Sequence, residues 1–217
     1  MTYQFENDIF ISYAHIDDQA LTQGEKGWIF DFHRALELRL GELLGEPPRI
    51  WRDLKLEGND YFSDIIVEQF LKVALLISVL SPRYVKSEWC MRELREFYKA
   101  AEHTGGVRVG DKARIFKVVK TYIPLEEHPQ ELQALLGYEF YEIDRSTGRP
   151  HDFIKIFGPE AERNYWVKLY DLAYDIRQLL VIIKKSKEGS VEPVPPLKKT
   201  TIYLAETTFD LNNWSFE

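Results

Sequence analysis

The sequence predicts an α/β protein built on a parallel, doubly wound sheet. Short apolar, β-branched runs alternate with helical periodicity along most of its 217 residues. The run Val73 to Leu80 has the continuous apolar character of a central parallel strand covered on both faces.

The elements follow in order. Asp8 to Tyr13 is a β-branched and aromatic run ended by polar residues, a buried first strand with a loop at its carboxyl end. Trp28, Ile29, Phe32, Leu36, Leu40, Leu43 and Leu44 recur every three or four residues, predicting a long amphipathic helix from near Gly27 that stops at Gly45 and Pro47-Pro48. Arg49 to Arg52 is a second strand, Asp53 to Asp60 a charged loop, and Phe62 to Phe70 a second helix. After the central strand, Ser87 is a good N-cap for a helix reaching His103, with Glu88 well placed against its dipole. Ile115 to Ile123 is a fourth strand, Glu131 to Leu136 a short helical turn and Tyr138 to Ile143 a fifth strand. The last helix, Ala161 to Ile183, is expected to bury Trp166, Leu169, Tyr170, Leu172, Ala173, Ile176, Leu179 and Leu180.

From Lys184 onward the composition changes. The stretch KKSKEGSVEPVPPLKK is charged and carries three prolines, the mark of a semi-rigid linker. The expected organisation is a domain over 1–184, a linker over 185–200 and a tail over 201–217 that is too short for its own core and either begins a further unit or docks on this domain or on a partner. With net charge -7, the chain lacks the cationic surface that non-specific binding to nucleic acid or anionic membrane requires. The single cysteine, Cys90, excludes an internal disulfide and a multi-cysteine zinc site, and the scattered His33, His103, His128 and His151 show no metal-ligand spacing. Without a leader pattern or a run of membrane-spanning length, a cytoplasmic location is expected. No GxGxxG, GxxxxGK[ST] or GxSxG motif occurs. The acidic pair Asp17-Asp18 suits a response regulator, but that class places an aspartate where this chain has Leu80-Ser81-Pro82.

Trp89 and Glu93 lie four residues apart, on one face of a helix that follows the central strand. At about 100° per residue, Cys90, Leu94, Phe97, Tyr98 and Ala101 form the core stripe. Glu93 falls about 80° and Trp89 about 120° from its centre, at the border between core and solvent. Geometry alone leaves two readings: a packing tryptophan beside a surface carboxylate, or the wall of a ligand cleft at the carboxyl end of the sheet.

Three segments, DIFISYAHIDD, WRDLKLEGNDYF and LLISVLSPRYVKSEWCMREL, are together similar to the TIR (Toll/interleukin-1 receptor) domain family over roughly Asp8 to Lys184. The resemblance is to the bacterial, NAD-cleaving type and implies a flavodoxin-like sheet of about five parallel strands. It also implies cleavage of the nicotinamide–ribose bond of NAD, with Glu93 as catalytic carboxylate and NAD as substrate, no further cofactor and no metal. Trp89, Phe62, Tyr13, Ala14, Asp53 and Lys55 would border the substrate, with Tyr61 an alternative to Phe62 and Arg52 a second candidate for the pyrophosphate. Tyr13 and Ala14 stand where some members carry an arginine, and His15 reads as an acid–base group or as polar surface. Leu54, Lys55, Leu56, Glu57 and Gly58 match the loop through which family members assemble, implying a homo-oligomer or filament. Antiphage defence with a C-terminal sensor domain or partner is the implied setting. The alternative is a non-catalytic interaction or adaptor module.

Overall fold

The computed structural model describes residues 5–20, 22, 24–52 and 68–187. Its centre is a five-stranded, wholly parallel sheet made of β1 (Asn7–Tyr13), β2 (Ile50–Arg52), β3 (Val73–Leu80), β6 (Ile115–Val119) and β7 (Gly137–Glu139), in the order β2-β1-β3-β6-β7. This is the flavodoxin-like winding. The chain runs outward from β1 to β2, returns to β3 and then runs the other way, so the switch point lies between β1 and β3.

The registers Ile9↔Leu75, Ser12↔Ser78 and Ile77↔Phe116 align the carboxyl ends of the central strands. Helices α1 (Trp28–Leu44) and α4 (Pro159–Lys187) cover one face, where Ile9, Ile11, Leu75, Ile77 and Val79 join Phe32, Phe140, Leu169 and Ile176 in one core. Helix α2 (Glu88–His103) covers the other, packing Cys90, Leu94 and Phe97 on Phe10, Leu76 and Leu80. Alternation of side chains along each strand produces this division.

The first strand, the first helix and the central strand occur where the sequence predicts them, and Ser87 caps α2 by accepting a 3.2 Å hydrogen bond from the Cys90 amide. Glycine is required at residue 27, where a Cβ would stand 1.8 Å from the backbone oxygen of Asp18. That close approach lets the Asp18 carboxylate accept from the Phe30 amide at 2.7 Å and satisfy an open donor at the start of α1.

Two strands and the exposed face of the last helix depart from expectation. The fourth strand ends at Val119 instead of Ile123, and Lys120 and Thr121 leave it to meet acidic groups from other elements. The fifth strand is broken at Phe140, whose ring turns inward against Trp28 and Phe32 at centroid distances of 5.4 and 5.7 Å. The chain then forms a hairpin of β8 (Tyr141–Ile143) and β9 (Pro150–Asp152), closed by an Asp144 carboxylate that accepts from the amides of Ser146 and Thr147. A second hairpin, β4 (Arg108–Val109) with β5 (Lys112–Ala113), turns through Gly110 at φ 64°. The short helical turn is α3 (Gln130–Gln133).

In the last helix, Trp166 and Tyr170 are 41% and 47% exposed, not buried as the periodicity suggests, while Leu169, Leu172, Ala173, Ile176, Leu179 and Leu180 do face the core. At the amino-terminal end of the sheet, Arg114 is fully buried and donates to the carbonyls of Val73, Ala74, Thr104 and Gly106, tying β3 to the end of α2. Burial lowers its pKa to about 10, which leaves it charged at neutral pH. Among the described residues no helix is long and apolar enough to cross a membrane.

Candidate functional site

Beneath α2, at the switch point, the sheet carries two serines side by side. Ser12 of β1 and Ser78 of β3 are register partners, and their parity with Phe10 and Leu76 turns them toward α2. These small hydroxyl side chains interrupt an otherwise apolar surface, and Glu93 occupies the polar notch they leave. The carboxylate is 2% exposed. It therefore lies inside the core border at which helix periodicity places it, because the serines leave room and supply a donor.

Both oxygens of Glu93 are held. Ser12 Oγ donates to Oε2 at 2.6 Å, and Trp89 Nε1 donates to Oε1 at 2.9 Å from one helical turn earlier. Trp89 is partly buried and packs against the apolar core on this side of the sheet. Ser12 Oγ also shares a 3.3 Å hydrogen bond with the hydroxyl of Tyr84, a fully buried side chain in the turn after β3. Burial raises the Tyr84 pKa well above its ordinary value, so the phenol stays protonated. The result is a chain of hydrogen bonds, Tyr84 to Ser12 to Glu93 to Trp89, that joins three elements around one carboxylate.

A second polar cluster flanks this one across the same turn. Ser81 Oγ donates to Asp17 Oδ2 at 2.6 Å and accepts from the amides of Arg83 and Tyr84 at 3.2 and 3.0 Å. Lys120 Nζ lies 4.0 Å from the other Asp17 oxygen, and Thr121 donates to Asp152 at 2.7 Å. Burial raises the pKa of Asp17, opposed by the Ser81 bond and Lys120 and aided by Asp152. Asp152 is raised for the same main reason, with Thr121 and Lys120 opposing. The adjacent acids Asp17 and Asp18 thus serve different ends, one at the rim of the sheet and one capping α1.

The remaining candidates are dispersed. Tyr13 packs into the core on the α1 and α4 face, its ring 5.6 Å from that of His15, whereas Ala14 lies on the α2 face with Phe10 and Leu80. His15 is exposed at the start of a 3-10 turn. Arg52 lies 3.7 Å from Asp18 and over the Phe30 ring, which directs it to the start of α1. Asp53, Leu54, Lys55, Leu56, Glu57, Gly58, Tyr61 and Phe62 lie outside the described residues. Ser12 and Tyr84 are not singled out by motif. The available signal was a serine inside each of two apolar strands, at positions that become partners only once the register is known. Among the described residues no group of His, Cys, Asp and Glu side chains is arranged to hold a metal ion.

No family model matches the chain, and no curated protein does. Among solved structures it is similar to the TIR domains of the activated Roq1 resistosome, which directly recognizes the pathogen effector XopQ. The identity is 15%, the match covers 85% of each chain and the TM-score is 0.35.

Proposed function

We propose that this chain is a TIR-type NAD glycohydrolase or ADP-ribosyl cyclase in which Glu93 is the catalytic carboxylate. One observation carries the reading: a carboxylate at the β1/β3 switch point is tethered through both oxygens by Ser12 and by the partly buried indole of Trp89.

The chemistry suits a single fixed carboxylate. In NAD the nicotinamide is already cationic, so it departs without a general acid, taking the electrons of the C1′–N bond and leaving neutral. The ribose becomes oxocarbenium-like as that bond breaks. A carboxylate in a low-dielectric notch stabilises this developing charge, and its preorganised hydrogen bonds reduce the reorganisation needed as the reaction proceeds. Water then adds to C1′ and loses a proton to give ADP-ribose, or a group of the adenylate half adds to give a cyclic product. Two-carboxylate glycoside hydrolysis differs, because there an acid must protonate the leaving oxygen.

In this scheme Ser12 and Trp89 hold the Glu93 carboxylate in place, and a ribose hydroxyl donates to one of its remaining lone pairs. The aromatic ring then stacks on the dinucleotide. Assembly through residues 54–58 would make turnover depend on concentration, as a head-to-tail contact that propagates without closing. A cytoplasmic role in antiphage defence, with a C-terminal sensor, is part of the same proposal.

A second reading is supported by the burial itself. A carboxylate that is 2% exposed and bonded through both oxygens also serves as a structural tie between β1 and α2, as in an assembly module without chemistry. Incubating the full chain with NAD over a range of protein concentrations, and resolving products by chromatography, separates the two. Release of nicotinamide with ADP-ribose or a cyclic product supports the enzyme. Unchanged NAD at every concentration contradicts it.

A further inference from the structure

The outer face of α4 carries an aromatic stripe with no described element over it. Trp166, Val167, Tyr170 and Tyr174 are 41%, 50%, 47% and 53% exposed, and their spacing of three and four residues sets them in one row. The row is continuous, with the Trp166 and Tyr170 rings 6.3 Å apart and the Arg39 guanidinium of α1 4.2 Å from the Tyr170 centroid. At about 100° per residue, Arg163 and Arg177 fall on the same face within about 20° of Tyr170, and Lys185 about 60° away. The face is therefore aromatic and cationic in a protein whose net charge is -7.

The chain contains a segment of matching chemistry. Residues 201–217, TIYLAETTFDLNNWSFE, hold Ile202, Tyr203, Leu204, Phe209, Leu211, Trp214 and Phe216, with Glu206, Asp210 and Glu217 and no Lys, Arg or His. Apolar side chains would meet the aromatic row and carboxylates its cationic flanks. The reach is sufficient. Helical rise places Tyr174 and Trp166 about 20 and about 32 Å back from Lys187, while the 13 linker residues 188–200 span about 40 Å when extended. Gly189 offers a position where the chain can reverse without a Cβ penalty.

We infer that residues 201–217 dock in cis on the outer face of α4, with the aromatic row as the seat and Arg163, Arg177 and Lys185 as the charged flanks. This face lies on the side of the sheet away from Glu93. The inference does not depend on NAD cleavage.

A photo-crosslinking residue in place of Tyr174 tests it, since this exposed position tolerates the larger benzoylphenylalanine side chain. The full chain is irradiated at low concentration and the crosslinked peptides are mapped by mass spectrometry. The expected product is an intrachain crosslink to a peptide within 201–217. The double variant Arg163→Glu, Arg177→Glu should lower its yield about fivefold or more, and adding Glu206→Lys and Asp210→Lys should restore it. Crosslinks joining two chains would show that a second copy covers this face. That result, the absence of any crosslink to 201–217, or a yield indifferent to charge reversal each overturns the inference.

Discussion

The two faces of the sheet are built on opposite principles. On the α1 and α4 side, Trp28, Phe32, Phe140 and Tyr165 close on one another with centroids 5.0 to 6.0 Å apart, an apolar aromatic seal. On the α2 side the core is opened at the switch point by Ser12, Ser78, Tyr84 and Glu93, a polar inclusion in which hydrogen bonds join Tyr84, Ser12 and Glu93. The same parallel strands supply both. Burying polar groups costs free energy that apolar packing does not, so such a patch at the crevice of an open sheet marks the face where chemistry is expected.

The comparison predicts a separation of stability from activity. Phe140→Ala should cost about 3 to 5 kcal/mol, read as a fall in denaturation midpoint, because it opens a cavity in the sealed face. Activity per folded molecule should be unchanged. Ser12→Ala should cost only about 1 to 2 kcal/mol while lowering NAD turnover about tenfold or more, through a carboxylate left unanchored. If both variants lose stability and activity in parallel, the two faces are not functionally distinct.

Trp89→Phe keeps an aromatic plate and removes the indole donor to Glu93. It should cost about 1 kcal/mol and weaken NAD binding, measured by titration, more than it slows the bound complex. A variant that loses stability and keeps full NAD use would make Trp89 a packing residue only.

The smallest effect concerns the neighbouring cluster. Because the folded-state pKa of Asp17 is raised above its ordinary 3.8, the folded protein retains a proton there that the unfolded chain has lost. This group therefore stabilises the fold below its folded pKa and loses that contribution as pH rises through the window above 3.8. In Asp17→Asn this part of the decline should vanish, seen by comparing thermal midpoints of variant and parent between about pH 4 and 7. A steeper decline in the variant would show that the Ser81 and Lys120 contacts outweigh burial.

Much of this architecture is legible without coordinates, for reasons that differ by element. Val73 to Leu80 and the helix from Ser87 are written in local signals, apolar continuity and a capping serine, and both occur where expected. The bend at Phe140 is not local. It depends on rings contributed by α1. The exposure of Trp166 and Tyr170 escaped for a similar reason, since periodicity locates a stripe but aromatic character does not tell which stripe is covered. At the site, Trp89 and Glu93 stand out by spacing, whereas Ser12 and Ser78 become neighbours only through the β1–β3 register. Burial of Glu93 follows from that pairing.

The proposed reaction depends on one charge. Glu93→Gln keeps the size of the side chain and an acceptor for Ser12 or Trp89, while removing the anion that would face the ribose cation. Nicotinamide release should be measured for the full chain and for Glu93→Gln at equal concentrations of folded protein, with circular dichroism confirming the fold of each. The parent should turn over NAD, and the variant should lose about 100-fold or more of that rate. Equal turnover by the two would contradict the assignment of Glu93, and a folded parent that releases no nicotinamide would contradict the enzyme itself.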